Sequence, residues 1–314
     1  MKVYRELSNF VSVSNAVVTI GTFDGLHLGH KKIINRMKEV AAGIGGETVI
    51  LTFFPHPRMI LHPEDTSLKL LNTISEKIQL LEEMGVDNLV ITPFTRDFSN
   101  MSSDEFVQQV LVKMLHTRKL VIGYDHRFGK NREGSFESLA RSGLTYGFDV
   151  EKIPEQDLDD IAISSTRVRK SLLEGRIEVA NRYLNYPYPL NGKVMTGDQI
   201  GRTLGYPTAN ILVTESYKLI PGDGIYAVNV GVAGSRYQGM LYIGNRPVVN
   251  GMSRSIEVNI FDFSQDIYGQ DITVEFVYYI RGDGNFKSLD ELKAQMARDK
   301  IRCQELFASE HVRP

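Results

Sequence analysis

The sequence predicts two domains of different class: an α/β domain on a parallel sheet, then an all-β antiparallel barrel with a C-terminal helix. Three observations carry this. Through the first half, short apolar runs alternate with stretches of helical periodicity, the pattern of a parallel sheet with helices on both faces. After about residue 186 the period changes to two, with Gly-rich turns between the runs, as in an antiparallel barrel. The length, 314 residues, admits two domains.

The elements follow in order. VVTIGT (17–22) reads as a buried strand, and KKIINRMKEVAA (31–42) as a helix with Ile33, Ile34, Met37, Val40 and Ala41 at helical spacing. ETVILTF (47–53) is a second strand. In ISEKIQLLEEMGV (74–86) a helix is predicted to bury Ile74, Ile78, Leu81 and Met84, with Gly85 as its stop. NLVITPF (88–94) is a third strand, SSDEFVQQVLVKML (102–115) a helix with a capping serine, and KLVIGYD (119–125) a fourth strand. YPYPLNG (186–192), with two prolines and a glycine, reads as a linker. Beyond it YAVNVGV, GMLYIG, SIEVNIFDF and ITVEFVYYI alternate, and in the last Ile272, Val274, Phe276, Tyr278 and Ile280 are expected to point one way. SLDELKAQMARDKIRCQELF (288–307) closes this stretch as an amphipathic helix. The predicted domains are 1–184 and 191–314, joined by a linker at 185–190.

Composition narrows the function. The net charge is −2, so the basic excess of a phosphate-backbone binder is absent and no nucleic-acid partner is expected. The single cysteine, Cys303, rules out an internal disulfide and fits a reducing compartment; on a late helix it reads as core filler. MKVYRELSNF has no long apolar core, and no apolar run approaches the ~18 residues of a membrane helix. A cytoplasmic protein without a membrane partner is therefore expected. The RGD at Arg281 lies in what reads as a Gly-rich turn and is set aside as chance.

The chemistry is concentrated where VVTIGTFDGLHLGHKKI passes from strand to helix. In an open parallel sheet, ligands bind beyond the carboxyl ends of the strands. Backbone N–H groups at a helix start favour an anion such as phosphate. Gly21, Gly25 and Gly29 would let the backbone approach a ligand, and His27 and His30 would donate hydrogen bonds to phosphate oxygens. Zinc binding by the two histidines would need further ligands, and no Cys/His cluster supplies them.

The phrase T-F-D-G-x-H-x-G-H resembles the signature of the HxGH nucleotidyltransferases. TFFPHP (52–57), GYDHRFGKNREG (123–134) and ISSTRVRKSLLEG (163–175) resemble the adenylyltransferase module of the bacterial bifunctional riboflavin kinase/FAD synthetases. GRTLGYPTANI (201–211), GIYAV (224–228) and IEVNIFDFSQDIYGQ (256–270) resemble their riboflavin kinase module, and together the phrases span almost the whole chain in the family's order.

The resemblance implies a Rossmann-like nucleotidyltransferase domain, then a barrel-shaped riboflavin kinase domain. It implies two reactions: riboflavin with ATP to FMN, and FMN with ATP to FAD and pyrophosphate. In the second, the FMN phosphate is already a nucleophile, so positioning and charge neutralisation should dominate. By motif match His27 and His30 would contact the ATP phosphates, while Gly21, Phe23, Asp24 and Gly29 would shape the pocket. Asp125 and Arg127, after the fourth strand, fall in the region of adenosine recognition. Ser165, Thr166 and Arg167 (with Arg169) read from residue types alone as a helix start with arginines in solvent; with the resemblance they become contacts for pyrophosphate. His56 is a flavin or phosphate contact, or a plain loop histidine.

The second half has no GxxxxGK[ST] and no protein-kinase motif set, which excludes those phosphate-binding routes. From the residues alone PTAN is better read as a turn; by resemblance Gly201 belongs to the ATP loop, and Thr208 and Asn210 of PTAN would hold Mg²⁺ with ATP oxygens. Strand alternation puts Glu257, Asn259 and Phe261 on one face, and Val258 and Ile260 on the other. The family's catalytic acid falls on Glu257, expected at the barrel mouth, where it would take the proton of the riboflavin 5′-hydroxyl. Asn245 would lie on the flavin side. The chain departs from the family at His126, where an aromatic is common, at Asn259, where histidine is common, and at Asn245 and Val248 in IGNRPVV. Two rivals are an aminoacyl-tRNA synthetase, disfavoured because no KMSKS-like string follows, and a flavin binder without turnover.

Overall fold

The computed structural model describes residues 1–154, 163–197, 201, 205–248 and 251–310. The described chain divides into two compact units, 1–164 and 165–314.

The first unit is a six-stranded sheet, all of whose pairings are parallel. Its strands are β1 (Lys2–Tyr4), β2 (Ala16–Ile20), β3 (Thr48–Phe53), β4 (Asn88–Thr92), β5 (Thr117–Gly123) and β6 (Asp149–Ile153), in the order β1-β4-β3-β2-β5-β6. Helix α1 (Leu28–Ile44) buries Ile34, Met37, Val40 and Ala41, as its periodicity requires. The order reverses between β2 and β5, so the loops after these two strands meet at the topological switch point where ligands bind. These loops carry HLGH and GYDHRFGK. The edge strands β1 and β6 are short and half-polar and were not foreseen.

Helix α2 (Ile74–Glu83) opens with a capping box: Thr73 Oγ1 accepts from the Glu76 N–H, and the Glu76 carboxylate from the Thr73 N–H. Its buried face is not the apolar one expected. Glu76, Lys77 and Leu81 are buried, while Ile74, Ile78 and Met84 are half-buried. The helix predicted at 102–115 is one helical turn (Ser103–Phe106) that continues as a π-helix (Val107–Met114). It is capped by Ser102 and sinks Phe106, Val107, Val110 and Leu111 into the core under β2 and β5.

In the second unit, helices α3 (Ser165–Leu173) and α4 (Ile177–Leu184) precede a closed barrel. Its strands are β7 (Tyr188–Met195), β8 (Ala209–Leu212), β9 (Gly224–Val232), β10 (Ser235–Val248), β11 (Gly251–Ile260) and β12 (Asp271–Arg281), ordered β10-β11-β8-β7-β12-β9. The second half of the stretch expected as a linker at 185–190 is the start of β7, with Tyr188 fully buried and its hydroxyl donating to the Leu219 carbonyl. Pro189 is tolerated there because β7 pairs only with β12 along this stretch, and β8 joins its other edge from Lys193. Asn181 of α4 ties the helices to the barrel, donating to the Phe276 carbonyl and accepting from the Tyr188 N–H.

The inner barrel face is apolar: Tyr226, Val228, Val230, Leu241, Val258, Val274 and Phe276 are fully buried. The inward face expected of β12 holds for Ile272, Val274 and Phe276 and then breaks. A register shift after Phe276 pairs Tyr278 with Ala227, so Val277 and Tyr278 both face outward. The C-terminal helix α5 (Leu289–Glu310) lies on the outer face of β9 and β10, where Cys303 and Phe307 pack with Ile225, Ala227, Met240, Phe261 and Val277. Arg281 ends β12 rather than lying in a turn, and forks onto Asp299 of α5 with bonds of 2.8 to 3.0 Å.

Candidate active sites

The first site is the loop from β2 to α1. His27 is the N-cap residue of α1, and His30 lies in its first turn. Their rings stack 3.8 Å apart at 19°, with Phe23 tilted against His30 at 5.1 Å. Each ring buries an Nδ1 that has no hydrogen-bond partner among the described residues. Burial lowers the His27 pKa to about 4 despite the field of Asp24. Burial lowers that of His30 as well, helped by its neighbours His27 and Lys77. At neutral pH both rings are therefore uncharged, and an uncharged imidazole carries one N–H donor.

The other motif residues stand behind this pair. Phe23 and Asp24 are buried; Asp24 Oδ1 accepts the backbone N–H groups of Leu71 (2.8 Å) and Asn72 (3.4 Å). Asn72 Oδ1 in turn accepts the Gly25 N–H at 3.0 Å. Phe23, Gly25 and Leu26 all have positive φ, of 46°, 89° and 39°. A Cβ at Gly29 would sit 3.3 Å from the His27 ring, and one at Gly21 would sit 3.0 Å from the Phe23 ring. These two glycines thus make room for the loop's own rings. Sequence reasoning also missed Lys77, whose buried ammonium donates to the Thr22 carbonyl at 2.6 Å.

Asp125 and Arg127 are exposed at the carboxyl end of β5, the strand next to β2. Between them His126 stacks loosely on Phe128, with ring centroids 6.1 Å apart, and burial lowers its pKa to about 4. His56 N-caps a single turn, Pro57–Leu61, its Nδ1 accepting the Arg58 N–H at 3.2 Å. Ser165, Thr166 and Arg167 open α3, which packs within the second unit, and Thr166 and Arg167 are exposed.

The second site surrounds Glu257. The residue is 4 % exposed, and among the described residues its carboxylate accepts hydroxyl hydrogen bonds from Ser255 at 2.7 Å and Thr208 at 3.1 Å. Glu257 pairs with Asn210 across the β11–β8 ladder, so the two side chains share a face. Thr208, two residues before Asn210, and Asn259, two after Glu257, follow the same alternation, and Asn259 donates to the Pro207 carbonyl at 2.7 Å. The face is the outer one. Glu257 lines a cavity of about 210 Å³ between the barrel wall and α5, not the barrel mouth that the sequence suggested. Ile225, Met240, Phe286, Leu292 and Met296 make its apolar lining; Tyr242, Asn259, Arg281, Asp283 and Asp299 add polar groups. Gly201 also borders it, and a Cβ at Gly201 would sit 2.4 Å from the Tyr206 carbonyl oxygen.

A second cavity, of about 380 Å³, lies on the other side of β11, lined by Val258, Ile260, Ala209 and the loop 263–268. Thr208 borders both cavities. Asn245 is exposed, donates to Asp223 at 3.4 Å, and does not border either cavity. The side chain of Val248 lies outside the described residues. Among the described residues no group of three or more His, Cys, Asp or Glu gathers to hold a metal, and no helix is long and apolar enough to cross a membrane.

The family model described as FAD synthetase matches residues 11–167, and that described as riboflavin kinase matches residues 184–307. The chain is 36% identical over 310 residues to a bifunctional riboflavin kinase/FMN adenylyltransferase of Escherichia coli K12, covering 98% of each. It is 38% identical over 295 residues to the protein so named in Listeria monocytogenes, covering 94% of this chain and 93% of that one. Among solved structures it superposes on one from Streptococcus pneumoniae, titled a macrolide-efflux protein, with TM-score 0.87 and 30% identity over 96% of this chain and 98% of that one. That title names an activity different from that of the curated relatives, and the likeness bears on the fold.

Proposed function

The chain belongs to the bifunctional riboflavin kinase/FMN adenylyltransferase family, and from that premise we propose which residues carry each of its two reactions. The protein phosphorylates riboflavin with ATP to FMN, and adenylylates FMN with ATP to FAD and pyrophosphate.

Adenylyl transfer is assigned to the His27–His30 loop. With Nδ1 of both rings buried, Nε2 is the nitrogen able to reach a ligand. Two uncharged imidazoles at the start of α1 would donate to the ATP phosphates beside the helix N–H groups, and so stabilise the charge that grows as the FMN phosphate attacks the α-phosphorus. No general base is needed, because the attacking oxygen is already ionised. Asp125 and Arg127 extend this site toward the nucleoside, at the neighbouring strand end. Ser165, Thr166 and Arg167 are proposed as contacts for the departing pyrophosphate by motif alone.

Phosphorylation is assigned to Glu257. The observation that carries it is a buried carboxylate, held by two hydroxyls, at the border of an apolar cavity suited to a flavin ring. Glu257 would take the proton of the 5′-hydroxyl as that oxygen attacks the γ-phosphorus of ATP. The cavity beyond Thr208 is assigned to the nucleotide, which puts the transfer at the wall the two cavities share. Mg²⁺ fits this wall. The Thr208 hydroxyl spends its proton on Glu257, which leaves its oxygen lone pairs open, and the Asn210 amide oxygen is a second hard donor on the same face. Bound there, the ion would neutralise charge on the ATP phosphates. We place the protein in the cytoplasm, where a lone buried thiol such as Cys303 stays reduced.

The test is a chromatographic time course of the purified protein with riboflavin, ATP and Mg²⁺. FMN should rise first and FAD later. His30→Ala should abolish FAD formation and leave FMN formation near wild type. Loss of both reactions in a folded His30→Ala protein would overturn the assignment of separate sites.

A further inference from the structure

Lys77 has no place in the motif that carries adenylyl transfer, and it is the one charged side chain on the helix face of Ile74, Leu81 and Met84. Yet it is only 5 % exposed. Taking an ammonium out of water costs several kcal/mol unless it is compensated, and what compensates it here is the phosphate loop. Nζ donates to the Thr22 carbonyl at 2.6 Å; burial lowers its pKa to about 8 and the field of Asp24 opposes this, so the ammonium still prevails at neutral pH.

Thr22 is where the loop leaves the sheet. The next four residues include three in the left-handed region, Phe23, Gly25 and Leu26, of which two carry side chains that disfavour it. Such a turn persists only when its surroundings fix it. Much of the fixing comes from the segment 71–77: Leu71 and Asn72 N–H groups hold Asp24, the Asn72 side chain holds the Gly25 N–H, and Lys77 holds the Thr22 carbonyl, which the Thr52 hydroxyl of β3 also reaches at 3.3 Å. The first contacts grip the middle of the turn. Lys77 grips its origin, with a charge-assisted bond like those of Asp24.

We propose that Lys77 is a positioning residue for adenylyl transfer, holding the start of the strained turn so that the His27–His30 pair meets the phosphates in register. Its charge has a second effect: it adds to burial in disfavouring protonation of His30. The pair stacked at 3.8 Å then stays uncharged and keeps its spacing. The inference rests on the assignment of the His27–His30 loop as the adenylyl-transfer site.

The test compares Lys77→Met, Lys77→Arg and His30→Ala in the full chain, each assayed for FMN adenylylation and riboflavin phosphorylation with kcat and KM resolved. A loop displaced by about 1 Å loses roughly 10²-fold in rate. Lys77→Met should therefore lower the adenylylation kcat by about 10²-fold while KM for ATP and for FMN moves less than about threefold, and Lys77→Arg should recover at least about tenfold of that loss. Riboflavin phosphorylation should hold within about twofold in all three. If Lys77→Met is near wild type while His30→Ala is inactive, the role of Lys77 is refuted and the site stands. If its loss falls in KM for ATP with kcat intact, Lys77 is a phosphate ligand and the positioning role is refuted. If His30→Ala itself is active, the site assignment has failed. Should Lys77→Met not fold, Lys77→Arg decides alone: near-wild-type kcat supports the role, and a loss as deep as that of His30→Ala overturns it.

Discussion

Replacing Glu257 by Gln preserves the size of the side chain and removes its charge and its basicity. The structural cost at its hydroxyl partners among the described residues can be worked from Ser255 at 2.7 Å and Thr208 at 3.1 Å. Both now donate to a carboxylate, a bond worth about 1.5–3 kcal/mol against about 0.5–1.5 for a neutral pair. The amide keeps one acceptor for one hydroxyl, and the other hydroxyl can rotate to accept from the new NH₂. The net loss is on the order of 1–2 kcal/mol, well within the stability of a domain. The chemical cost is larger. Removing a general base costs about 10²–10⁴ in rate, or about 3–5.5 kcal/mol of transition-state free energy. In the chromatographic assay FMN formation from riboflavin should fall by at least about 10²-fold, while FAD formation from added FMN stays within about twofold. A folded Glu257→Gln protein that phosphorylates riboflavin within about fivefold of wild type would refute the proton-transfer role, leaving the carboxylate as a hydrogen-bond anchor for Thr208.

Other consequences follow from burial. His27 and His126 have folded pKa values of about 4 against an ordinary 6.5, so between those pH values the unfolded chain binds protons that the folded chain does not. Stability should fall as pH drops through that window, by up to roughly 3 kcal/mol per ring; thermal melts from pH 7 to 4.5 should show it, and His126→Phe should flatten the curve. An identical slope in His126→Phe would show that this ring does not titrate across folding. Burial pushes the Cys303 thiol up to about 12, so the native protein should not react with a thiol-directed disulfide reagent at pH 8 and should release one equivalent in denaturant. Rapid native labelling would mean that α5 opens readily from the barrel.

Much of this structure was legible because one residue type at one spacing decided it. Helix α1 follows from the period of Ile34, Met37 and Val40, and the split of β11 into a Glu257 face and a Val258 face follows from the period of two. What stayed hidden depends on neighbours distant in sequence. On α2 the apolar stripe lost to Lys77, because the backbone it must reach at Thr22 lies in another element. The prolines at 187 and 189 read as a linker because an isolated pattern does not reveal which strand edge goes unpaired. Strict alternation along β12 also fails where the register shifts after Phe276. For Glu257 the strand face was legible and its surroundings were not: a strand shows two faces, and only the docking of α5 makes the outer one a cavity.

That docking orders the making of the protein in time. Leu292, Met296 and Asp299 of α5 form one wall of the cavity that holds Glu257, and Phe307 closes its hydrophobic seam. Synthesis runs from the amino end, so the sheet unit is complete by residue 164, and all six barrel strands by residue 281, before that wall exists. A chain cut before Leu289 would keep the carboxylate, the Ser255 and Thr208 hydroxyls and every strand, and would open to water the pocket that we assign to the flavin ring. A nascent chain thus acquires its FMN-consuming half well before its FMN-producing half.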